Sequence, residues 1–167
     1  AGKYYDEGLR YFKSFDGFGD DKEILSVEDK FELDIRGNRF VGIADLVLRD
    51  KNTGGIIVID HKSKSMNSMK KAQYENTRQL YTYAAYVKER FGEFPTLLQF
   101  NMFRYGVNID EPFSMKRYEE TMDWIERTIA QIKAEKEWKV SSSSYFCRFI
   151  CSTRLHCPVG EEIMNAK

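Results

Sequence analysis

The sequence predicts an α/β fold: a mixed central β-sheet flanked by helices, in the order αβββαβα. Three observations carry that prediction. Two strand-like stretches, 24–35 and 39–48, are joined by the tight-turn tripeptide Arg36-Gly37-Asn38. Four branched aliphatics in a row, Ile56 to Ile59, read as a strand buried on both faces. Downstream, two long segments repeat apolar residues every three or four positions, the period of an amphipathic helix.

Taken in order, Tyr4 to Phe18 sets Tyr5, Leu9 and Phe12 at helical spacing, which predicts a short helix packing that face and ending near Gly17–Gly19. From Ile24 to Ile35, Leu25, Val27, Phe31, Leu33 and Ile35 are apolar, with acids and Lys30 between them, as in a half-buried strand. Arg39 to Leu48 is a more apolar strand. The turn Asp50 to Gly55 leads into Ile56–Ile59, which ends in Asp60-His61-Lys62. Residues 63–71 carry no pattern and read as a loop. Leu80, Tyr83, Ala84 and Val87 mark a helix over Ala72–Phe91, stopped by Gly92 and Pro95. Thr96 to Tyr105 reads as a strand, and Met115, Tyr118, Met122, Ile125, Ile129 and Ile132 as an amphipathic helix. Ser141 to Ser144 is a polar linker, so the chain divides into a core, 1–140, and a C-terminal cysteine-containing segment, 141–167, packed on that core.

Composition excludes several classes. Apolar residues at 42% and charged residues at 31% describe a globular chain rather than a disordered one. No apolar run approaches the ~18 residues of a membrane span. Ala1 to Arg10 is charged, with no signal-peptide core, which places the protein in the cytoplasm with no membrane partner. The 26 basic residues balance the 26 acidic ones, so any affinity for nucleic acid must be local.

Asp60 and Lys62 leave the buried strand two residues apart, on the same face and about 7 Å apart along the backbone. Asp45 sits in the preceding strand among Ile43, Ala44, Leu46 and Val47. A D-x-K triplet alone is most often a salt bridge. Here it follows an apolar strand, where charge is costly to bury without a purpose. If the two strands pair, both acids converge at one end of the sheet. Two carboxylates with a lysine suit phosphodiester hydrolysis. The acids hold Mg²⁺ or Mn²⁺, hard ions that prefer oxygen, and the amine orients water or meets developing charge.

Gly42-Ile43-Ala44-Asp45 followed by Ile59-Asp60-His61-Lys62-Ser63 resembles the G-x-x-D … D-x-K pattern of the PD-(D/E)XK nucleases. Gln79-Leu80-Tyr81-Thr82-Tyr83 resembles the Q-x-x-x-Y motif of their RecB-like branch, which includes phage and CRISPR-associated exonucleases. The three motifs occupy residues 42–83 in the family's order, and the family's restriction-endonuclease-like core agrees with the predicted elements. The resemblance implies Asp45 and Asp60 as metal ligands, with the His61 carbonyl joining them, and Lys62 as the catalytic lysine. Gln79 and Tyr83 are then placed beside the DNA backbone. Glu28 matches a glutamate that the family often carries on the strand before G-x-x-D, but among Asp29, Glu32 and Asp34 it reads as a solvated strand residue. RecB-like enzymes usually have a metal-binding histidine upstream of the first aspartate. Here His61 and His156 both lie downstream, so the chain is expected to lack an N-terminal segment.

Cys147, Cys151 and Cys157 fall within eleven residues, spacing that suits a metal cluster better than a disulfide framework. They resemble the C-terminal cysteine triplet of RecB-like nucleases that bind [4Fe–4S], where a fourth cysteine comes from near the N-terminus. This implies a cluster in the complete protein. Zinc with His156, and three reduced thiols in an aromatic patch, stay open. Lys62, Lys64, Lys70, Lys71 and Arg78 form a basic stretch beside the D-x-K, interrupted only by Glu75, and point to DNA backbone contact. The leading expectation is a Mg²⁺- or Mn²⁺-dependent deoxyribonuclease, an exonuclease of phage or DNA-repair metabolism with partner proteins from those systems. The alternatives are a catalytically silent DNA-binding module of the same fold and a structural metal-cluster domain.

Overall fold

In the computed structural model, residues 2–137 and 143–165 are described. The linker read at Ser141–Ser144 begins outside the described residues, as does the boundary between 140 and 141. The elements in chain order are α1 (Gly2–Ser14), β1 (Lys22–Ile35), β2 (Asn38–Asp50), β3 (Ile56–His61), α2 (Met66–Lys71), α3 (Gln73–Phe91), β4 (Leu97–Met102), β5 (Val107–Pro112), α4 (Met115–Ala134), α5 (Ser144–Phe149) and α6 (Pro158–Asn165). The chain divides into two compact units, Ala1–Ile129 and Ala130–Lys167.

The sheet is built around its most apolar strand. Every residue of β3 from Ile56 to Asp60 is buried. β2 pairs with it antiparallel and β4 parallel, and β1 and β5 complete the order β1-β2-β3-β4-β5. The parallel step needs a crossover, which α2 and α3 supply. Alternation along β3 sends Ile56 and Val58 to one face and Ile57 and Ile59 to the other. On the first face they meet Leu80, Tyr81, Ala84 and Val87 of α3 and Met122 and Ile125 of α4. Each such aliphatic stabilises the fold by about 1.5–3 kcal/mol through burial. On the second face Ile57 and Ile59 pack with Leu46 and Leu48 under Phe18 and Leu97.

The β1–β2 turn has positive φ at both Arg36 and Gly37, the type I′ geometry whose twist matches a hairpin. Arginine is strained there. Its guanidinium is tied to Glu119, Asp123 and Glu126 of α4, which fixes the hairpin tip. α3 ends as expected at Gly92, left-handed with φ +81°, whose N–H donates to the Lys88 carbonyl.

The structure differs from the sequence reading in four places. α1 packs by the opposite face: Tyr5, Leu9 and Phe12 are exposed, while Glu7 is buried. Charge decided this, because Glu7 meets Arg104 in the 3-10 turn Phe103–Tyr105, and Tyr11 packs on Phe103 beside it. In β1, Val27 faces solvent because a bulge at Ile24/Ser26 and a left-handed Glu28 interrupt the alternation. The single strand expected over 96–105 is β4 followed by the 3-10 turn, and the edge strand β5 comes after it. Residues 66–71, read as loop, form α2, capped where the Ser65 hydroxyl accepts from the Ser68 N–H.

Candidate active site

Asp60 continues the alternation of Ile56 and Val58, so its carboxylate enters the face covered by α3, where it is 1% exposed. Lys62 follows on that same face, with Nζ 2.6 Å from Asp60 Oδ2 and 5.7 Å from the centroid of the Phe100 ring. Oδ2 is thus held by the charge of the lysine, and no other donor reaches it among the described residues. Lys62 Nζ does donate to Gln79 Oε1 at 2.7 Å, and Gln79 Nε2 donates to the Tyr83 hydroxyl at 2.7 Å. Gln79 and Tyr83 stand one turn apart on α3, so a single helix face delivers both. The result is a chain from carboxylate to amine to amide to phenol.

Asp45 reaches the same place from β2. The β2–β3 ladder runs only from Arg49↔Ile56 to Leu46↔Ile59, and the next step along it would set Asp45 opposite Asp60. There the His61 N–H donates to Asp45 Oδ2 at 2.9 Å rather than to a strand carbonyl. The acid thus takes over a backbone position at the point where the ladder stops. On its other side β3 stays paired, the Lys62 N–H donating to the Asn101 carbonyl.

The local electrostatics follow from this crowding. Burial pushes the Asp60 carboxyl above the ordinary carboxylate range; Lys62 pulls it back, while the charge of Asp45 adds to the rise. Burial also drives the Tyr83 phenol up to about 12, against the Gln79 hydrogen bond and helped by Asp60, Asp45 and Glu28. Tyr83 is therefore a neutral hydroxyl at physiological pH. It accepts from Gln79 and keeps its own proton to donate.

Packing behind the site explains the glycine of G-x-x-D. Gly42 pairs with Phe31 across the hairpin, and a Cβ at Gly42 would stand 2.4 Å from the Phe31 ring. Phe31 in turn stacks on Tyr86 and meets Tyr83 edge-on. Only hydrogen fits at position 42 if Tyr83 is to stay where it is.

The sequence reading missed the brace on the other side. Arg104 donates through Nε to Glu7 at 2.8 Å and through an Nη to the Ser63 carbonyl at 2.9 Å, just past the D-x-K. It also lies over the ring of Tyr4. No local sequence motif signals a contact between residues 7, 63 and 104. Glu28, read as a solvated strand residue, is exposed with φ +47° and sits where the register faces Asp45.

Of the basic residues, Lys64 bonds Asn76 of α3 at 3.0 Å, and Lys70 and Lys71 are exposed on α2. Arg78 turns away from them, its guanidinium over the Trp124 ring. In the second unit Cys147 is buried on α5, and Cys151 and Cys157 are half-buried beyond it. All three are free thiols. The Thr153 hydroxyl lowers the Cys151 thiol below its ordinary value. Among the described residues no three side chains of His, Cys, Asp or Glu gather closely enough to hold a metal ion. Also among them, no helix is long and apolar enough to cross a membrane.

The donor set nonetheless suits a hard divalent cation: two neighbouring carboxylates, one of them buried, beside the backbone of His61. Comparison with known proteins agrees with this chemistry. The sequence profile of the PD-(D/E)XK nuclease superfamily matches residues 7–158, from α1 to just past Cys157. No curated protein matches the chain.

Proposed function

Since the chain belongs to the PD-(D/E)XK nuclease superfamily, we propose that it hydrolyses DNA phosphodiester bonds with Mg²⁺ or Mn²⁺, as an exonuclease in phage or DNA-repair metabolism. The observation that carries this reading is the convergence of buried Asp60 with Asp45 and Lys62 where the β2–β3 ladder ends. One lysine offsets only part of the charge of two carboxylates crowded together, and a divalent cation would offset the rest.

Asp45, Asp60 and the His61 carbonyl would hold the cation. When bound, it supplies charge neutralisation on the phosphate and acidifies a coordinated water. The protein's own groups do the rest. Gln79 takes one Lys62 N–H and fixes the amine, leaving others for the reacting water or a phosphate oxygen. Water oxygen adds to phosphorus, one P–O ester bond breaks, and the departing oxygen takes up a proton. Tyr83, neutral and with a proton to donate, offers a hydrogen bond to the substrate backbone. Lys64, Lys70 and Lys71 attract neighbouring phosphates, a contact without sequence information.

The profile match runs past Cys157, which supports treating the cysteine segment as part of the nuclease domain. This chain supplies three thiols where [4Fe–4S] takes four, so the cluster is assigned only to a protein that brings a fourth ligand from outside these residues. The test incubates linear and circular DNA with wild type, Asp60→Ala and Lys62→Ala in Mg²⁺, Mn²⁺ or EDTA. Cleavage should need the metal, fail in both variants, and spare circles. Cutting that persists in both variants removes the assignment; cutting of circles removes only the exonuclease part.

A further inference from the structure

On the flank of α3 that faces α4, four side chains stack in an order unrelated to core packing. The Arg78 guanidinium lies 4.4 Å from the Trp124 ring centroid and 5.6 Å from that of Tyr74. The Arg117 guanidinium lies 3.9 Å from the Tyr74 centroid. Ring, cation, ring and cation alternate. The array is fixed in place: Tyr74 donates its hydroxyl to Glu120, and Arg117 donates to Thr77 Oγ1 at 2.7 Å. Yet it is not sealed, since Tyr74 is 46% and Trp124 36% exposed. Among the described residues Arg78 makes no ion pair; its charge is held by rings alone. Arg78 also directly precedes Gln79, which holds Lys62.

Ordered, half-exposed aromatics beside an arginine without a carboxylate partner match one kind of ligand: flat, π-faced and anionic. We infer that Trp124, backed by Arg78, forms a stacking platform for a base of an unpaired DNA strand, with the edge of Arg78 serving its phosphates. A paired duplex hides its base faces and cannot use such a platform, whereas stacking on aromatics accepts any sequence. The inference rests on the DNA-directed reading above and adds to it a preference for single-stranded ends.

The experiment uses the full chain carrying Asp60→Asn, so that binding is read without cutting. Labelled oligothymidylate, an abasic strand of equal length and charge, and a blunt duplex are titrated by fluorescence anisotropy. Oligothymidylate should bind tightest. Trp124→Ala should weaken it by about five- to a hundredfold, and Trp124→Phe should restore most of the loss. On the abasic strand Trp124→Ala should change little. Equal losses on both strands, no loss on either, or no DNA binding at all would overturn the platform; Trp124→Phe keeps the test valid should the alanine variant fail to fold. Base-dependent binding without metal-dependent cleavage by wild type would leave the platform standing and remove the nuclease reading, and the converse holds.

Discussion

Two buried acid–base pairs lie within the same unit, and they are built to opposite ends. Glu7–Arg104 is complete: the carboxylate takes an aligned 2.8 Å bond, and the guanidinium uses its other edge on the Ser63 carbonyl and the Tyr4 ring. The Arg104 hydrogen bond holds the Glu7 carboxyl below its ordinary range. Asp60–Lys62 is incomplete, with a carboxylate raised by burial and by the nearby charge of Asp45, which the one lysine only partly offsets. The first pair joins α1, the 3-10 turn and the loop after D-x-K, and asks for nothing more. The second stands beside another acid, Asp45, and is continued through Gln79 to Tyr83. A buried ion pair is thus no sign of function by itself; a second acid converging on it is.

The largest expected effect is on the incomplete pair. Asp60→Asn should lower cleavage by about a thousandfold, the scale of losing a central electrostatic group. The same change should raise metal-free stability by about 0.5–2 kcal/mol, because it removes a charge that burial opposes. A chemical-denaturation series in EDTA reads that gain, and a lower midpoint would contradict the strained carboxylate. The sign with pH follows. A carboxyl whose folded value is raised contributes stability at low pH and loses it as pH rises through that value. The advantage of Asp60→Asn should therefore grow with pH and then level off.

Lys62→Ala comes next, with about a hundredfold loss of cleavage. Gln79→Ala, which frees the amine without deleting it, should cost about tenfold, with most of the loss in kcat. If Gln79→Ala exceeds Lys62→Ala, the amide does more than position the amine. Gly42→Ala should destabilise by about 1–3 kcal/mol, since the added methyl drives Phe31 toward Tyr83. A Phe31→Leu partner that restores both stability and cleavage would show that the damage travels through that ring. The smallest effect belongs to the complete pair. Glu7→Gln should lower the melting temperature while cleavage stays within a few-fold of wild type. With its folded value depressed, Glu7 stabilises above the unfolded carboxylate range and loses this as pH falls. The two melting curves should hence converge in acid and part above it with wild type the more stable, opposite in sign to the Asp60 series.

Much of this arrangement was legible from residue order. The run Ile56–Ile59 announced β3, the Arg36-Gly37-Asn38 turn announced the hairpin, and Gln79 and Tyr83 were placed on one helix face. The convergence of Asp45 with Asp60 followed from strand pairing alone. What escaped the reading depended on partners distant in sequence. Tyr5, Leu9 and Phe12 looked like the packing face of α1 because apolar spacing outweighs a lone acid in any local reading. Glu7 decided the matter through a residue 97 positions away. β5 escaped because Asn108, Asp110 and Glu111 give an edge strand little apolar signal, and α2 because six residues are too few for a periodicity. Val27 turns outward through the bulge at Ile24/Ser26 and the left-handed backbone of Glu28, which no residue type announced.

The bond from the His61 N–H to Asp45 has a stoichiometric consequence. One oxygen of that carboxylate already accepts from the backbone, so the other is the freer of the two to meet an incoming ion. If Asp45, Asp60 and the His61 carbonyl hold the ion as proposed, they would leave coordination positions for solvent and the scissile phosphate. Cation and nucleic acid should therefore bind synergistically: calorimetric titration of Mg²⁺ into the free protein should register weak uptake that sharpens once a non-cleavable strand is present.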